Sequence, residues 1–341
     1  MLLINAYCTN RRPPPLSIPH ELRGRRDTTD PELGPHLAGF AGYVMGGGAR
    51  EMSATRYAVL RHLDRVRHHF ALELDEANLG PFEAWAHAAN AIVFLPDGTV
   101  RDPAGMVLVD PDDGEADPDA VMPYPAAARV RRDATTALLR GHGIRVAASL
   151  PPVVDECELE LREPGEVASR CLALFACALR AESIVARRPI PRTEIEERLP
   201  QALREASPKE RAFLDAAAPG EQAVIDHAWR YEALETLLWA LGLRSLLPFP
   251  TARCDVPALA GIILDRDPEQ LIASATLRPA AELLDALDLV TRVHWAVTDA
   301  RIQKAAPPAG LDGGVVLERH YALNWLVRVP DVEWDDVMTP T

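Results

Sequence analysis

Apolar and polar positions change period several times along the first hundred residues. Residues 1–9, MLLINAYCT, are largely apolar and predict a strand, and the RRPPPLSIP stretch that follows is a Pro-rich break. HLAGFAGYVMGGGAR is apolar and then glycine-rich, which predicts an apolar segment followed by a flexible one. Ser53 stands where it can cap a helix through ATRYAVLRHLDRVR. That helix is expected to end near Arg67, because Tyr57, Leu60, Leu63 and Leu72 do not all share one face. HHFALELD alternates, placing Phe70, Leu72 and Leu74 on one side of a strand. GPFEAWAHAAN predicts a short helix with Pro81 near its start. AIVFLPDGTVRDPAGMVLVD is two apolar runs around turn chemistry at Asp97-Gly98 and Ala104-Gly105. These elements predict a small α+β domain over residues 1–112.

The pattern then breaks. Six acidic residues fall within 110–119, mixed with Gly and Pro, and such a stretch has too little apolar surface to form a core. A calcium loop needs Gly at its sixth position and Glu at its twelfth. Counting from Asp110, the fifth position is Gly114 and the twelfth is Val121, so residues 113–126 are expected to be an acidic linker. From residue 127 to 341 the periodicity is helical. AAARVRRDATTALLRGHG is a helix stopped by Gly141 and Gly143, and Pro151 and Pro152 enforce an extended crossing. EPGEVASRCLALFACALRAESIVAR and GEQAVIDHAWRYEALETLLWALG predict two long helices with shorter ones between them, Ser207-Pro208 opening one of these in cap-then-N1 form. RPAAELLDALDLVTRVHWAVTDARIQ and VVLERHYALNWLV complete a mostly α-helical second domain, so the fold class is α+β in two domains.

Composition narrows the function. The chain of 341 residues carries a net charge of −14, which repels phosphate backbones and anionic lipid, so neither nucleic acid nor membrane is expected as a partner. Five thinly spread cysteines argue against a disulfide framework and fit a reducing compartment. The N-terminus lacks a basic region and a long apolar run, and CLALFACAL is too short to span a bilayer, so a cytoplasmic location is expected.

Four kinds of chemistry can be sought. No C-x-x-C or H-E-x-x-H is present and His68 and His69 point to opposite sides of a strand, so no metal is expected. MGGGAREMS precedes a helix but lacks a phosphate-loop signature, which favours a flexible loop and no cofactor. Cys254 has Arg253 beside it, yet TARCDVPAL reads more simply as Asp255 capping a helix beside a buried thiol. The fourth candidate spans three helices that carry polar and aromatic groups within core-forming sequence: Arg230, Tyr231 and Glu232 on the first, His294, Asp299 and Arg301 on the second, and Arg319, His320, Tyr321 and Asn324 on the third. His320 and Asn324 share one face of the third helix, and Tyr321 and Trp325 share another. Converging faces would form a pocket for an anionic ligand, with His294 or His320 as acid–base groups. The same residues paired with one another would instead set helix register.

HAWRYEALETLLWALGL, LPFPTARCDV, LDLVTRVHWAVTDAR and GVVLERHYALNWL resemble, in order, motifs of the bacterial domain-of-unknown-function family numbered 4272. EPGEVASRCLALFACALRAE and GIRVAASLPPV fit the opening part of that domain, so the resemblance covers roughly residues 127–341. It implies no activity. It marks Trp229, Arg230, Tyr231, Glu232, Trp239, Cys254, Asp255, His294, Trp295, Asp299, Arg301, Arg319, His320, Tyr321, Asn324 and Trp325 as family features. Two functional readings follow. One is a non-catalytic cytoplasmic binding or protein-interaction module, antagonist or immunity proteins among them, with a protein partner or a homo-oligomer both left open. The other is an enzyme or small-ligand binder that uses the His/Arg/Tyr/Asn pocket on an anionic ligand.

Overall fold

The computed structural model describes residues 1–328 and 331–341. The chain forms two compact units, Met1–Val130 with Val154–Leu159, and Arg131–Val153 with Glu160–Thr341. The architecture is α+β: a six-stranded antiparallel sheet with few helices, then a helical unit.

In the first unit the strands are β1 (Leu2–Cys8), β2 (Glu21–Asp27), β3 (His68–Leu74), β4 (Ala91–Phe94), β5 (Val100–Arg101) and β6 (Val107–Val109). They lie in the order β2-β3-β1-β4-β5-β6, every neighbouring pair antiparallel. Helices α1 (Leu33–Val44), α2 (Ala54–Leu63) and α3 (Leu79–Ala88) complete the unit. Strand alternation sends β1 side chains to opposite faces and so builds two cores. Ile4, Ala6 and Cys8 pack with Leu72, Leu74 and the α3 residues Phe82 and Trp85. Tyr7 packs on the other face with Phe40 and Val44 of α1, Val59 and Leu63 of α2, and Ile92. The sheet is therefore covered on both sides.

ELRGRRD, the β2 segment, has no alternating apolar pattern and so carries no local strand signal. It lies at the sheet edge and is held through its backbone register with β3, which needs no apolar side chains. The helix capped by Ser53 forms as expected, with the Ser53 hydroxyl accepting from the Arg56 N–H at 3.1 Å, but it ends at Leu63. The acidic stretch is tied to the first unit: Asp117 donates its N–H to the Val107 carbonyl at 2.8 Å, Val121 donates to the Asp102 carboxylate at 2.9 Å, and Glu115 pairs with Arg56 at 2.9 Å. Its carboxylates close turns and accept hydrogen bonds, so polarity here does not mean detachment.

The second unit contains α4 (Ala126–Gly141), whose first turn lies in the first unit, α5 (Pro164–Val185), α6 (Arg192–Arg198), α7 (Pro200–Glu205), α8 (Pro208–Asp215), α9 (Glu221–Ala228), α10 (Arg230–Ala240), α11 (Val256–Leu264), α12 (Pro268–Ala273), α13 (Ala280–Ile302) and α14 (Gly313–Val327). Helix α5 is its axis, largely apolar and buried almost throughout from Val167 to Ala181, with Arg170 paired to Glu210. The expected long helix over residues 220–242 is divided at Trp229, where Glu232 donates to the Trp229 carbonyl in a tighter turn. The Trp229 ring at this junction presses on α14 at Gly314, where any Cβ would overlap it. Residues 331–341 fold back on the helices. Trp334 is 2% exposed and packs edge-on against Tyr321 and Trp325. Asp335 accepts from the Ser207 hydroxyl at 2.6 Å and the Lys209 N–H at 2.8 Å, placing a carboxylate at the N-terminus of α8.

One buried histidine links this packing to pH. His62 of α2 is fully buried, with Nε2 2.9 Å from the Tyr7 carbonyl, to which it donates. Burial first, and the charge of Arg65 second, pull its pKa down to about 3 against the opposing effect of that hydrogen bond. The unfolded chain therefore binds a proton that the folded chain does not, between about pH 6.5 and the folded value. Stability is full above that window and declines as pH falls through it, by about 1.4 kcal/mol per pH unit. Urea denaturation of the wild-type chain at pH 7.5 and 5.5 should show a loss that is smaller by about 1 kcal/mol in His62→Gln; equal losses in the two chains would refute the assignment.

Candidate functional site

The three motif helices pack together, α14 lying against both α10 and α13. Their charged residues meet mainly one another. Arg319, 3% exposed, donates to Glu235 at 2.9 Å and to the Pro248 carbonyl. Glu235, itself 1% exposed, uses its other oxygen for Arg244 at 3.2 Å. One turn earlier on α10, Arg230 pairs with Glu318 at 3.0 Å and lies over the Tyr321 ring at 5.0 Å. Burial pushes the Glu318 carboxyl up against the opposing pull of Arg230, and burial lowers Arg319 against the pull of Glu235 and Glu232.

The remaining candidates diverge. Glu232 accepts the Cys254 backbone N–H at 2.7 Å, and burial pushes its carboxyl up. Tyr231 donates to Glu182 of α5 at 2.8 Å. Tyr321 donates to the Trp334 carbonyl, and Asn324 donates to the Met338 carbonyl at 2.8 Å, so both hold the C-terminal segment. Asp299 accepts from Gln303 at 2.8 Å, and Arg301 is exposed near the end of α13. The Cys254 thiol is pushed well up by burial and by Glu232, and Asp255 accepts from the Ala258 N–H at 3.2 Å as the cap of α11. That environment keeps the sulfur protonated and weakly nucleophilic.

His294 and His320 do come together. Their Nδ1 atoms are 2.8 Å apart and the rings are perpendicular. The Thr291 hydroxyl donates to the Leu287 carbonyl at 2.8 Å, so at 3.3 Å it accepts from His320 Nε2. Neutral His320 then has a lone pair on Nδ1, and His294 supplies the shared hydrogen. This arrangement leaves the lone pair of His294 on Nε2. Burial, and then Arg301, lower the His294 pKa, which keeps that nitrogen basic in form and uncharged near neutrality.

Beside the ion pairs lies an open cleft of about 470 Å³, walled by α4, α13, α14 and the loop after α10. Leu138, Leu246, Leu289, Val293, Leu323 and Trp239 form much of its lining, and Arg319 reaches its edge. The cleft lies apart from the polar faces that helical spacing singles out. The run Leu246-Leu247-Pro248-Phe249 was its local signal, apolar residues in a segment too Pro-rich for a helix. Among the described residues no set of three His, Cys, Asp or Glu side chains is placed to hold a metal ion. No helix among them is long and apolar enough to cross a membrane.

Fold and site together define a two-unit α+β protein whose helical unit is knit by buried ion pairs beside an apolar cleft. Residues 131–337 match the family described as Domain of unknown function (DUF4272), more than half of the chain, and the protein belongs to that family. No curated protein and no solved structure matches it.

Removal of the carboxylate between two guanidinium groups should be costly. Glu235→Gln leaves Arg319 and Arg244 without their shared counter-charge and should destabilise the helical unit by about 3–5 kcal/mol in urea denaturation. Asp299→Asn, which touches only a partly exposed hydrogen bond, should cost under about 1 kcal/mol in the same assay. Equal small effects would show that the Glu235 pairs do not hold the helices.

Proposed function

We propose that this chain is a non-catalytic cytoplasmic binding protein whose helical unit receives apolar groups of a protein partner in the cleft between α4, α13 and α14. The observation that supports the reading most is the contrast within the family region. Arg230, Arg319, Glu235 and Glu318 are bound to one another, whereas the 470 Å³ space beside them is lined mainly by Leu, Val, Pro and Trp. Such a space binds by burying apolar surface, and a few polar groups at its edge orient what enters. The acidic net charge favours partners with a basic rim and suits an antagonist of such a protein.

Leu138 and Leu246 are 52% and 67% exposed at the mouth of the cleft, so charging them leaves the core unaltered. The fluorescent apolar probe 1-anilinonaphthalene-8-sulfonate should bind the wild-type chain saturably, and Leu138→Glu with Leu246→Glu should weaken it by about tenfold while the melting temperature stays within a few degrees. Chemical cross-linking in native lysate should retain one partner with the wild type and lose it with the double variant. Probe binding unchanged by the double substitution, or a chain that returns alone under mild lysis, would refute the reading.

The His294–His320 pair supports a second reading, general-base chemistry at His294 Nε2 on a ligand at the helix surface. Turnover of activated carboxylic or phosphate esters by the wild-type chain, abolished in His294→Gln with the fold retained, would favour it over the binding reading.

A further inference from the structure

We propose that the first unit carries a binding site for a small oxyanion, a phosphoryl or carboxylate group, centred on Arg26 on the face of the sheet covered by α1. This site is separate from the cleft and rests on none of the reasoning used for it. Strand register sets its framework. Arg26 of β2 pairs with His69 of β3, which pairs with Tyr7 of β1. Directly opposed residues share a face, so these three side chains form one row across adjacent strands. The next row is Gly24, Ala71 and Asn5. Helix α1 brings His36 over the first row, its Nε2 3.1 Å from the Tyr7 hydroxyl and its ring 4.3 Å from that of His69.

The hydrogen bonds fix the state of this cluster. Arg26 donates Nη1–H to His69 Nδ1 at 3.3 Å, so that nitrogen carries a lone pair. His69 Nε2–H in turn donates to the Asn5 side-chain oxygen at 3.0 Å. His69 is therefore a neutral imidazole, and Asn5 keeps its amide hydrogens for another acceptor. Burial, then His36 and Arg26, pull His69 down to about 3, consistent with that assignment.

Arg26 stands apart in its partner. Buried arginines elsewhere face carboxylates or carbonyls: Arg65 faces Glu158 at 3.3 Å, Arg292 faces Asp288 at 2.6 Å, Arg319 faces Glu235 at 2.9 Å, and Arg180 donates to the Ile190 and Ala216 carbonyls. Among the described residues, no carboxylate lies within 4.0 Å of the Arg26 guanidinium. Glu73, one row beyond Ala71, is held by Arg23 at 2.7 Å, and Arg25 is turned toward the Phe70 ring on the other face. A half-buried guanidinium whose acceptor is a neutral ring is electrostatically incomplete, and an oxyanion completes it.

There is room for one. Asn5, Arg26, His36 and Ala71 are all half-buried, not sealed. A Cβ added at Gly24 would meet only the Ala71 methyl, at 3.8 Å, so the second row is a low shelf beside the guanidinium. The Arg26 fork, the Asn5 amide and the ring of His36 give an oxyanion several donors of the kind it prefers.

The test is an NMR titration of the histidine ring resonances of the full chain with inorganic phosphate and, separately, acetate, at ionic strength held constant with chloride. His36 and His69 should shift saturably with one of the two anions, and the anion that saturates at lower concentration identifies the class. Arg26→Gln should abolish the saturable shift, Arg26→Lys should weaken it by about tenfold because the bidentate fork is lost, and Arg25→Gln should leave it unchanged. Shifts linear in anion concentration in the wild type, or saturable shifts that survive in Arg26→Lys at full affinity, would overturn the proposal; that comparison holds even where Arg26→Gln does not fold.

Discussion

The helical unit depends on the charge balance at Glu235. A carboxylate that is 1% exposed accepts from two guanidinium groups, one on α14 and one in the loop after α10. Removing three charges from water is costly, and only close pairing makes the arrangement tolerable. The geometry is correspondingly restrictive. Arg319 must lie where both Glu235 and the Pro248 carbonyl can be reached, which sets the rotation of α14 against α10 and anchors the loop that walls the cleft. A Leu in place of Arg319 would bury as well, yet would not distinguish one rotation of the helix from another. Ion pairing here supplies specificity of packing, and the apolar cleft is a consequence of where that packing leaves space.

The C-terminal segment extends the same constraint. Arg230 is held by Glu318 on one side and lies over the rings of Tyr321 and Trp334 on the other. Trp334 thereby joins the core although it follows the last long helix. The Tyr321 and Asn324 edges of α14, two of the polar positions that gave that helix its site-like appearance, are used to hold backbone carbonyls of this segment. Half-buried polar residues of α14 serve here to satisfy carbonyls of a returning chain that forms only one short turn of its own.

The sequence was legible where a signal is local. The period-2 pattern of HHFALELD, the Ser53 cap, the Asp255 cap and the long apolar α5 all depend on neighbours a few residues apart, and all appear in the structure. The edge strand β2 was not legible, because its register is set by backbone bonding to β3 from 41 or more positions away in sequence. The seating of the Trp229 ring at the α9–α10 break needs a glycine in another helix. For the three motif helices, spacing identified which residues share a face but not what each face meets. His294 and His320 meet each other, whereas Arg319, one position before His320, turns the other way to Glu235. A difference of one residue is about 100° around a helix, enough to place adjacent motif positions in unrelated environments.

The Arg26 row of the first unit uses these side-chain types differently from the ion pairs of the helical unit. In the helical unit Arg319 and Arg292 are matched to carboxylates, and Arg180 to carbonyls. In the sheet unit Arg26 is held by the neutral ring of His69, itself fixed by Asn5, with the positive charge left at the edge of a shelf. Neutral partners position a cation without cancelling it. An ion pair between Arg26 and a carboxylate would have been the simpler way to stabilise an edge strand, and Arg23 and Glu73, on the adjacent strands β2 and β3, are joined in that way. The difference between Arg23 and Arg26, three residues apart on one strand, is that one has its counter-charge within the chain and the other retains a field that acts on whatever approaches the α1 face.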